Sequence, residues 1–92
     1  MVHEECGVIG AYDFDGRDIA ADLYHGLYTL QHRGQESCGI VTNDYVKLYN
    51  VKGLGLVNEV FNKENLATLK GKIGVGHVRY GAGEDEAVPP AP

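Results

Sequence analysis

Three short segments of this sequence hold residue types that could do chemistry. The first is Cys6. A thiolate attacks carbonyl carbon where a thiol does not. Removal of residues 1–5 would make Cys6 the first residue, and its own α-amino group, titrating near ~7.7–8.0, would be a proton acceptor matched to neutral pH. N-terminal nucleophiles are activated in this way. From spacing alone, the same cysteine reads more simply as a small buried apolar residue opening a strand. The second segment is Leu30-Gln31-His32-Arg33-Gly34-Gln35-Glu36-Ser37, a dense polar run. Arg33 offers a planar fork that suits a carboxylate, and His32 is either a base or a hydrogen-bonding loop residue. A solvated helix–strand connection ended by a glycine would have the same composition. The third is Gly76-His77-Val78-Arg79-Tyr80. Strand alternation puts His77 and Arg79 on one face and Val78 on the other. An arginine there is placed for an anion, or for an ordinary surface ion pair.

The remaining reactive residues carry less. His3 and His25 stand alone, and Cys38, between Ser37 and Gly39, reads as a buried small residue. Cys6, Cys38 and the four histidines show no metal-ligand spacing, so no metal site is assigned.

The elements that must position these groups follow from apolar periodicity and turn residues. Cys6 to Phe14 reads as a strand interrupted by Gly7 and Gly10, which mark close backbone approaches. Asp13-Phe14-Asp15-Gly16 is a turn. Asp18 is placed to cap a helix from Ile19 to about Gln31, with Leu23, Leu27 and Leu30 at helical spacing and Gly34 as its stop. Ser37–Thr42 and Tyr45–Val51 read as strands joined by a tight turn at Asn43-Asp44, with Val46, Leu48 and Val51 on one face or its neighbours. Gly53 and Gly55 break the pattern. Asn62 caps a helix from Lys63 to Leu69, closed by Gly71. Lys72–Tyr80 is a fourth strand, and residues 81–92, acidic and then proline-rich, form a disordered tail. The order β-α-β-β-α-β predicts an α+β fold, with helices on a largely antiparallel sheet. Four strands in so short a chain leave a sheet face or edge uncovered, which invites pairing with something else.

Composition narrows the class of function. The 92 residues give one small domain, 43% hydrophobic, with 13 glycines and a formal net charge of −5. No basic stripe is present, which argues against nucleic acid. No apolar run approaches the ~20 residues that span a bilayer, and the first residues lack a secretory pattern. A cytoplasmic protein without membrane contact is expected, and in a reducing compartment Cys6 and Cys38 stay unpaired.

Taken together, Cys6-Gly-Val-Ile-Gly, LQHRGQES, GLGLV and GHVRY, in this order, resemble the glutamine phosphoribosylpyrophosphate amidotransferases, from about Glu5 to Tyr80. The Cys-Gly-Ile/Val start is similar to that of other class II amidotransferases, while QHRGQES points to the purine family. The resemblance implies an N-terminal nucleophile hydrolase fold, incomplete in this sequence, in which two antiparallel sheets lie between helices. It implies that residues 1–5 are a cleaved leader, and that Cys6 attacks the side-chain amide of glutamine to form a γ-glutamyl thioester. By the same resemblance Arg79 grips the glutamine α-carboxylate, Arg33 and Gly34 line the pocket, Tyr80 belongs to a loop closing over glutamine, and His77 is structural. The released ammonia would then displace pyrophosphate from phosphoribosylpyrophosphate at a second domain.

The sequence departs from that family after Tyr80. An Asn-Gly pair for the oxyanion hole and an aspartate for the substrate amine are expected further on and do not occur. Nor does the phosphoribosyltransferase domain, with its magnesium site and the 4Fe-4S cluster implied for members that carry a leader. Those cofactors therefore have no ligands in this chain, phosphoribosylpyrophosphate would be met only through the missing domain, and homo-oligomerisation belongs to the complete protein. One oxyanion donor is worth about 2.7–4 kcal/mol, so the 92 residues alone are expected to be nearly inactive. A non-catalytic, degenerate or interaction domain keeping Cys6 as a packing residue is the competing reading, and another class II amidotransferase is a third.

Overall fold

A computed structural model describes residues 6–31 and 35–80. The expected leader 1–5, the expected helix stop at Gly34 and the expected tail 81–92 lie outside the described residues. The elements run β1 (Cys6–Tyr12), α1 (Ala20–Leu30), β2 (Gln35–Asn43), β3 (Leu48–Leu54), α2 (Val57–Val60), α3 (Lys63–Ala67) and β4 (Ile73–Tyr80). The four strands form one sheet in the order β1-β4-β2-β3, every pair antiparallel. The expected α+β architecture, an antiparallel sheet with packed helices, is therefore what forms.

Helix α1 lies across β1 and β4 and anchors the core. Ile19, Leu23 and Leu27 recur on one face and are buried, with Cys38, Ile40 and Val78 of the sheet beneath them. The strand under the helix is cut down to receive it. A Cβ at Gly76 would lie 2.9 Å from Leu27 Cδ1, and one at Gly74 would lie 3.0 Å from both Ile19 Cδ1 and Leu23 Cδ1. These glycines let helix and strand approach as closely as their apolar contact demands. Phe61 and Tyr24 meet edge-on, with ring centroids 6.3 Å apart, and close the core on the α2 side.

Several boundaries differ from expectation. Asp18 does not cap α1. Ile19 holds the N-cap position, and the Asp18 carboxylate instead accepts the Gly71 amide at 2.8 Å, while the Ile19 amide donates to the Gly71 carbonyl at 3.0 Å. The start of the helix is thus pinned to the loop before β4. Strand β1 stops at Tyr12, because the Asp13 carboxylate accepts the Asp15 amide and turns the chain. Strand β3 starts at Leu48 rather than Tyr45. The Asp44 carboxylate takes the amides of Val46 and Lys47 and the Tyr49 hydroxyl, and Tyr45 adopts φ +74°, so residues 44–47 are a turn. Val46 and Leu48 are consequently exposed. Gly53 lies inside β3 rather than ending it, with Val60 packed over it.

Helix α2 is not foreseen by the sequence pattern. Its N-cap, Leu56, has no side-chain acceptor to offer. Two borrowed acceptors replace it: Glu59 Oε1 takes the Leu56 amide at 2.9 Å, and Gln31 Oε1, from the end of α1, takes the Val57 amide at 2.7 Å. The cap of α3 is as expected, a reciprocal pair in which Asn62 and Asn65 each accept the other's backbone amide at 2.8 Å. The helix stops at Ala67, two residues short of the Leu69 end.

The helices cover one face of the sheet only. On the other, Val8, Tyr12, Leu48, Ile73 and Val75 are exposed, as the small size of the chain implied.

Candidate functional site

The third chemical segment is strand β4, and its alternation is as expected: Val78 is fully buried, His77 is half-buried, and Arg79 is exposed on the open face. Register then gathers a set of residues at one end of the sheet. Cys6 is the backbone partner of Arg79, Arg79 pairs on its other side with Ser37, and Ser37 pairs with Leu54. One step along, Val8, His77, Gly39 and Lys52 form the next row. Sequence reasoning placed Cys6 and Arg79 in separate segments, and the antiparallel pairing of β1 with β4 makes them neighbours.

The imidazole of His77 lies over Gly39. A Cβ at Gly39 would meet His77 Cε1 at 2.6 Å and Lys52 Cβ at 3.0 Å, and both residues cover the glycine so that it is buried. Beside this ring is an open depression of about 300 Å³, whose lining includes Ser37, Lys52, Leu54 and His77. With Arg79 one pair away, this end of the face presents cationic and hydrogen-bonding groups, and it suits a ligand bearing a carboxylate. Lys52 was not singled out from the sequence, and Ser37 only as the end of the polar run. Their strands were legible, but the register that sets them beside His77 and Arg79 was not.

Residues His32, Arg33 and Gly34 lie outside the described residues, so the pocket-lining roles assigned to Arg33 and Gly34 have no geometry here. Their flanks do. Tyr80 ends β4 on the helix-covered side, half-buried, and its hydroxyl donates to the Leu30 carbonyl. Gln31 Oε1 holds Val57, and Gln31 Nε2 reaches Asn58 Oδ1 at 3.3 Å. Gln35 Nε2 donates to the Gly55 carbonyl at 3.0 Å, and the Gly55 amide donates to the Glu36 carbonyl at 2.8 Å. Between Gln35 and Ser37 the register with β4 shifts, the irregularity of a bulge, a device that re-aims strands near functional sites.

Cys38 is the buried residue its neighbours implied. It is a free thiol on the helix-covered side, and burial raises its pKa to about 11. At neutral pH it is a protonated packing residue with a weak contact to the Gly55 carbonyl at 3.8 Å. Among the described residues, no group of three or more His, Cys, Asp or Glu side chains is placed to hold a metal ion. None of the described helices is long and apolar enough to cross a membrane.

Comparison with known proteins is specific. The chain is 46% identical over 83 residues to an amidophosphoribosyltransferase of Methanocaldococcus jannaschii, covering 90% of this chain and 18% of that protein. It is 48% identical over 97% of its length to the amidophosphoribosyltransferase of Bacillus subtilis, covering 19% of it. Among solved structures it superposes, with a TM-score of 0.72 and 44% identity, on the glutamine phosphoribosylpyrophosphate amidotransferase from B. subtilis complexed with ADP and GMP, covering 91% of this chain and 18% of that one. No protein-family model matches. The chain thus spans less than a fifth of the length of these relatives.

Proposed function

We propose that this chain, whose homologues are amidophosphoribosyltransferases, is the amino-terminal part of such an enzyme and supplies half of its glutamine-cleaving site. The observation that carries this reading is the pairing of Cys6 with Arg79 across β1 and β4, at the cationic end of a sheet face, in a chain nearly half identical to those enzymes. Cys6 is the nucleophile, made N-terminal by removal of residues 1–5. Its sulfur attacks the carboxamide carbon of glutamine, its α-amino group takes the thiol proton, and that proton leaves with the amide nitrogen as ammonia. Water then cleaves the thioester, releasing glutamate and restoring the thiol.

Arg79 holds the glutamine α-carboxylate through paired charge-assisted hydrogen bonds. Arg33 and Gly34 line the pocket near the nucleophile, and Tyr80, the last residue of β4, leads into the loop that closes over bound glutamine. The oxyanion donors and the group that binds the substrate amine come from outside the 92 residues, as does the domain that would use ammonia to displace pyrophosphate from phosphoribosylpyrophosphate. Magnesium and any iron–sulfur cluster belong to those parts as well, as would the homo-oligomeric assembly. A soluble, cytoplasmic setting in purine synthesis accords with these substrates. The open face carrying Val8, Tyr12, Ile73 and Val75 fits the inner face of an N-terminal nucleophile hydrolase sandwich whose second sheet the remainder supplies.

The deciding experiment is the intact mass of the purified chain before and after exposure to 6-diazo-5-oxo-L-norleucine, an electrophilic glutamine analogue. Loss of residues 1–5 and one adduct mapping to Cys6 are expected. A folded chain that stays unprocessed and unlabelled would instead establish the competing reading, a non-catalytic domain in which Cys6 only packs.

A further inference from the structure

The depression beside His77 owes its shape to the strand beneath it. On the open face β2 presents Ser37 and then Gly39, a short hydroxymethyl group followed by no side chain at all. The strands on either side carry long side chains in the matching rows: Arg79 and His77 on β4, Leu54 and Lys52 on β3. The imidazole lies over the gap at Gly39, where a Cβ would meet His77 Nε2 at 3.0 Å and Lys52 Cβ also at 3.0 Å. Ring and lysine stem thus flank one spot, and Lys52 forms the wall of the depression across β2 from His77. It is the one cationic residue that β2 and β3 present on this face.

Glutamine has the length to bring its α-carboxylate to the edge of this depression. Its carboxamide and carboxylate carbons are separated by a span of about 5 Å at about 1.5 Å per bond, and that is also about one strand spacing. With the carboxamide at Cys6 on β1, the carboxylate comes to lie over β4 and its border with β2, between Arg79 and Ser37. An arginine fork occupies one lone pair on each carboxylate oxygen and leaves the others turned away from it. Those face Ser37 and the depression. Lys52 stands diagonal to Ser37 across β2 and β3, about 7–8 Å away and within reach of a long side chain. We propose that Lys52, with the Ser37 hydroxyl, is a second anchor for the glutamine α-carboxylate, so that the charged end of the substrate is gripped from β4 and from β3 together. This rests on the reading of Cys6 and Arg79 as a glutamine site. It also accounts for a lysine on a face that is otherwise largely apolar, because a charge that the rest of the enzyme covers must be paired. The specificity that follows is for a γ-amide whose α-carboxylate is free.

The charge on the ligand gives the test. Labelling of Cys6 by 6-diazo-5-oxo-L-norleucine, and by its methyl ester, which lacks the negative charge, is followed by mass spectrometry. The proteins are the wild-type chain, Lys52→Met, Lys52→Arg and, as a control in the turn before β3, Lys47→Met. Lys52→Met is expected to raise the inactivation constant for the acid about three- to tenfold, the scale of a partly exposed charge pair, and to leave that for the ester unchanged. Lys52→Arg should keep most of the affinity, and Lys47→Met should match wild type. Equal losses on acid and ester, or no loss on the acid, overturn the proposal. A titration with L-glutamine and with L-glutamine methyl ester, read by NMR at the amides of Ser37, Gly39 and Lys52, makes the test independent of the nucleophile. Shifts that saturate with the acid alone, on a chain whose Cys6 takes no label, would retain the anchor and remove the nucleophile. Label at Cys6 with equal constants in wild type and Lys52→Met would retain the nucleophile and remove the anchor. Neither shifts nor label would remove both.

Discussion

Cys6 and Arg79 are direct backbone partners across β1 and β4, although they stand 73 positions apart in the sequence. Ser37 faces Arg79 from the other side. Arg79 is thus a middle-strand residue flanked by the candidate nucleophile's strand and by the strand that follows the polar QHRGQ run. Its guanidinium is exposed on the uncovered face, and the ion pairs seen among the described residues are those of Arg17 with Asp13 and Asp15.

Replacement of Arg79 should therefore weaken analogue binding before it touches folding. Arg79→Ala is expected to raise the inactivation constant at Cys6 ten- to a hundredfold, since hydrogen bonds to charged groups are worth about 1.5–3 kcal/mol. Arg79→Lys should recover only part of this, because an ammonium lacks the planar fork. Concentration-dependent labelling followed by mass spectrometry reads both, and equal constants for all three proteins would remove Arg79 from the site.

Gly39 should not tolerate a side chain. A Cβ there would lie 2.6 Å from His77 Cε1, so Gly39→Ala must displace the imidazole, at about 1–3 kcal/mol. His77→Ala should relieve most of that loss. A double-mutant cycle by urea unfolding is expected to be strongly non-additive, and additive effects would mean that the ring does not rest on the glycine.

Alkaline stability should carry the signature of Cys38. Its pKa rises with folding to about 11, so the folded chain keeps a proton that the unfolded chain releases near pH 9. The thiol's contribution is complete below that value, and it falls as pH rises from about 9 to 11. Cys38→Ala should flatten this part of the stability curve while losing a little packing. Unfolding free energies at pH 8 and pH 10.5 suffice, and an unchanged slope would contradict the assignment.

The turn before β3 holds strain that can be relieved. Tyr45 has φ +74° and is exposed, a conformation that costs a bulky L-residue about 1–2 kcal/mol and asparagine less. Tyr45→Asn gives up the contact with Lys72 Nζ, 5.1 Å from the ring centroid. It should still gain a few tenths to about 1 kcal/mol in urea, the size of a compatible turn substitution. A loss would mean that the ring contact outweighs the backbone.

The sequence by itself determined the pieces whose signals are local. Leu23 and Leu27 recur at helical spacing, so α1 was legible. The Asn62 cap was legible because asparagine satisfies helix amides wherever it stands. Val78 facing inward and Arg79 outward follows from the pleat alone. The four motifs named the family to which the homologues belong. Tertiary structure decided whatever depends on a partner distant in the chain. Helix α2 begins at an apolar N-cap because Gln31 supplies the acceptor from 26 residues away, and no window around Leu56 contains that fact. Asp18 was drawn from its expected cap to the Gly71 amide, 53 residues on. Strand β3 slid to Leu48 because one carboxylate, Asp44, competed for the amides that a strand would have used. The row from Cys6 through Arg79 and Ser37 to Leu54 exists only through register. Period-2 patterning tells which face a residue takes, but two antiparallel strands can slide by two residues without changing faces, so only the assembled sheet settles which residues stand abreast.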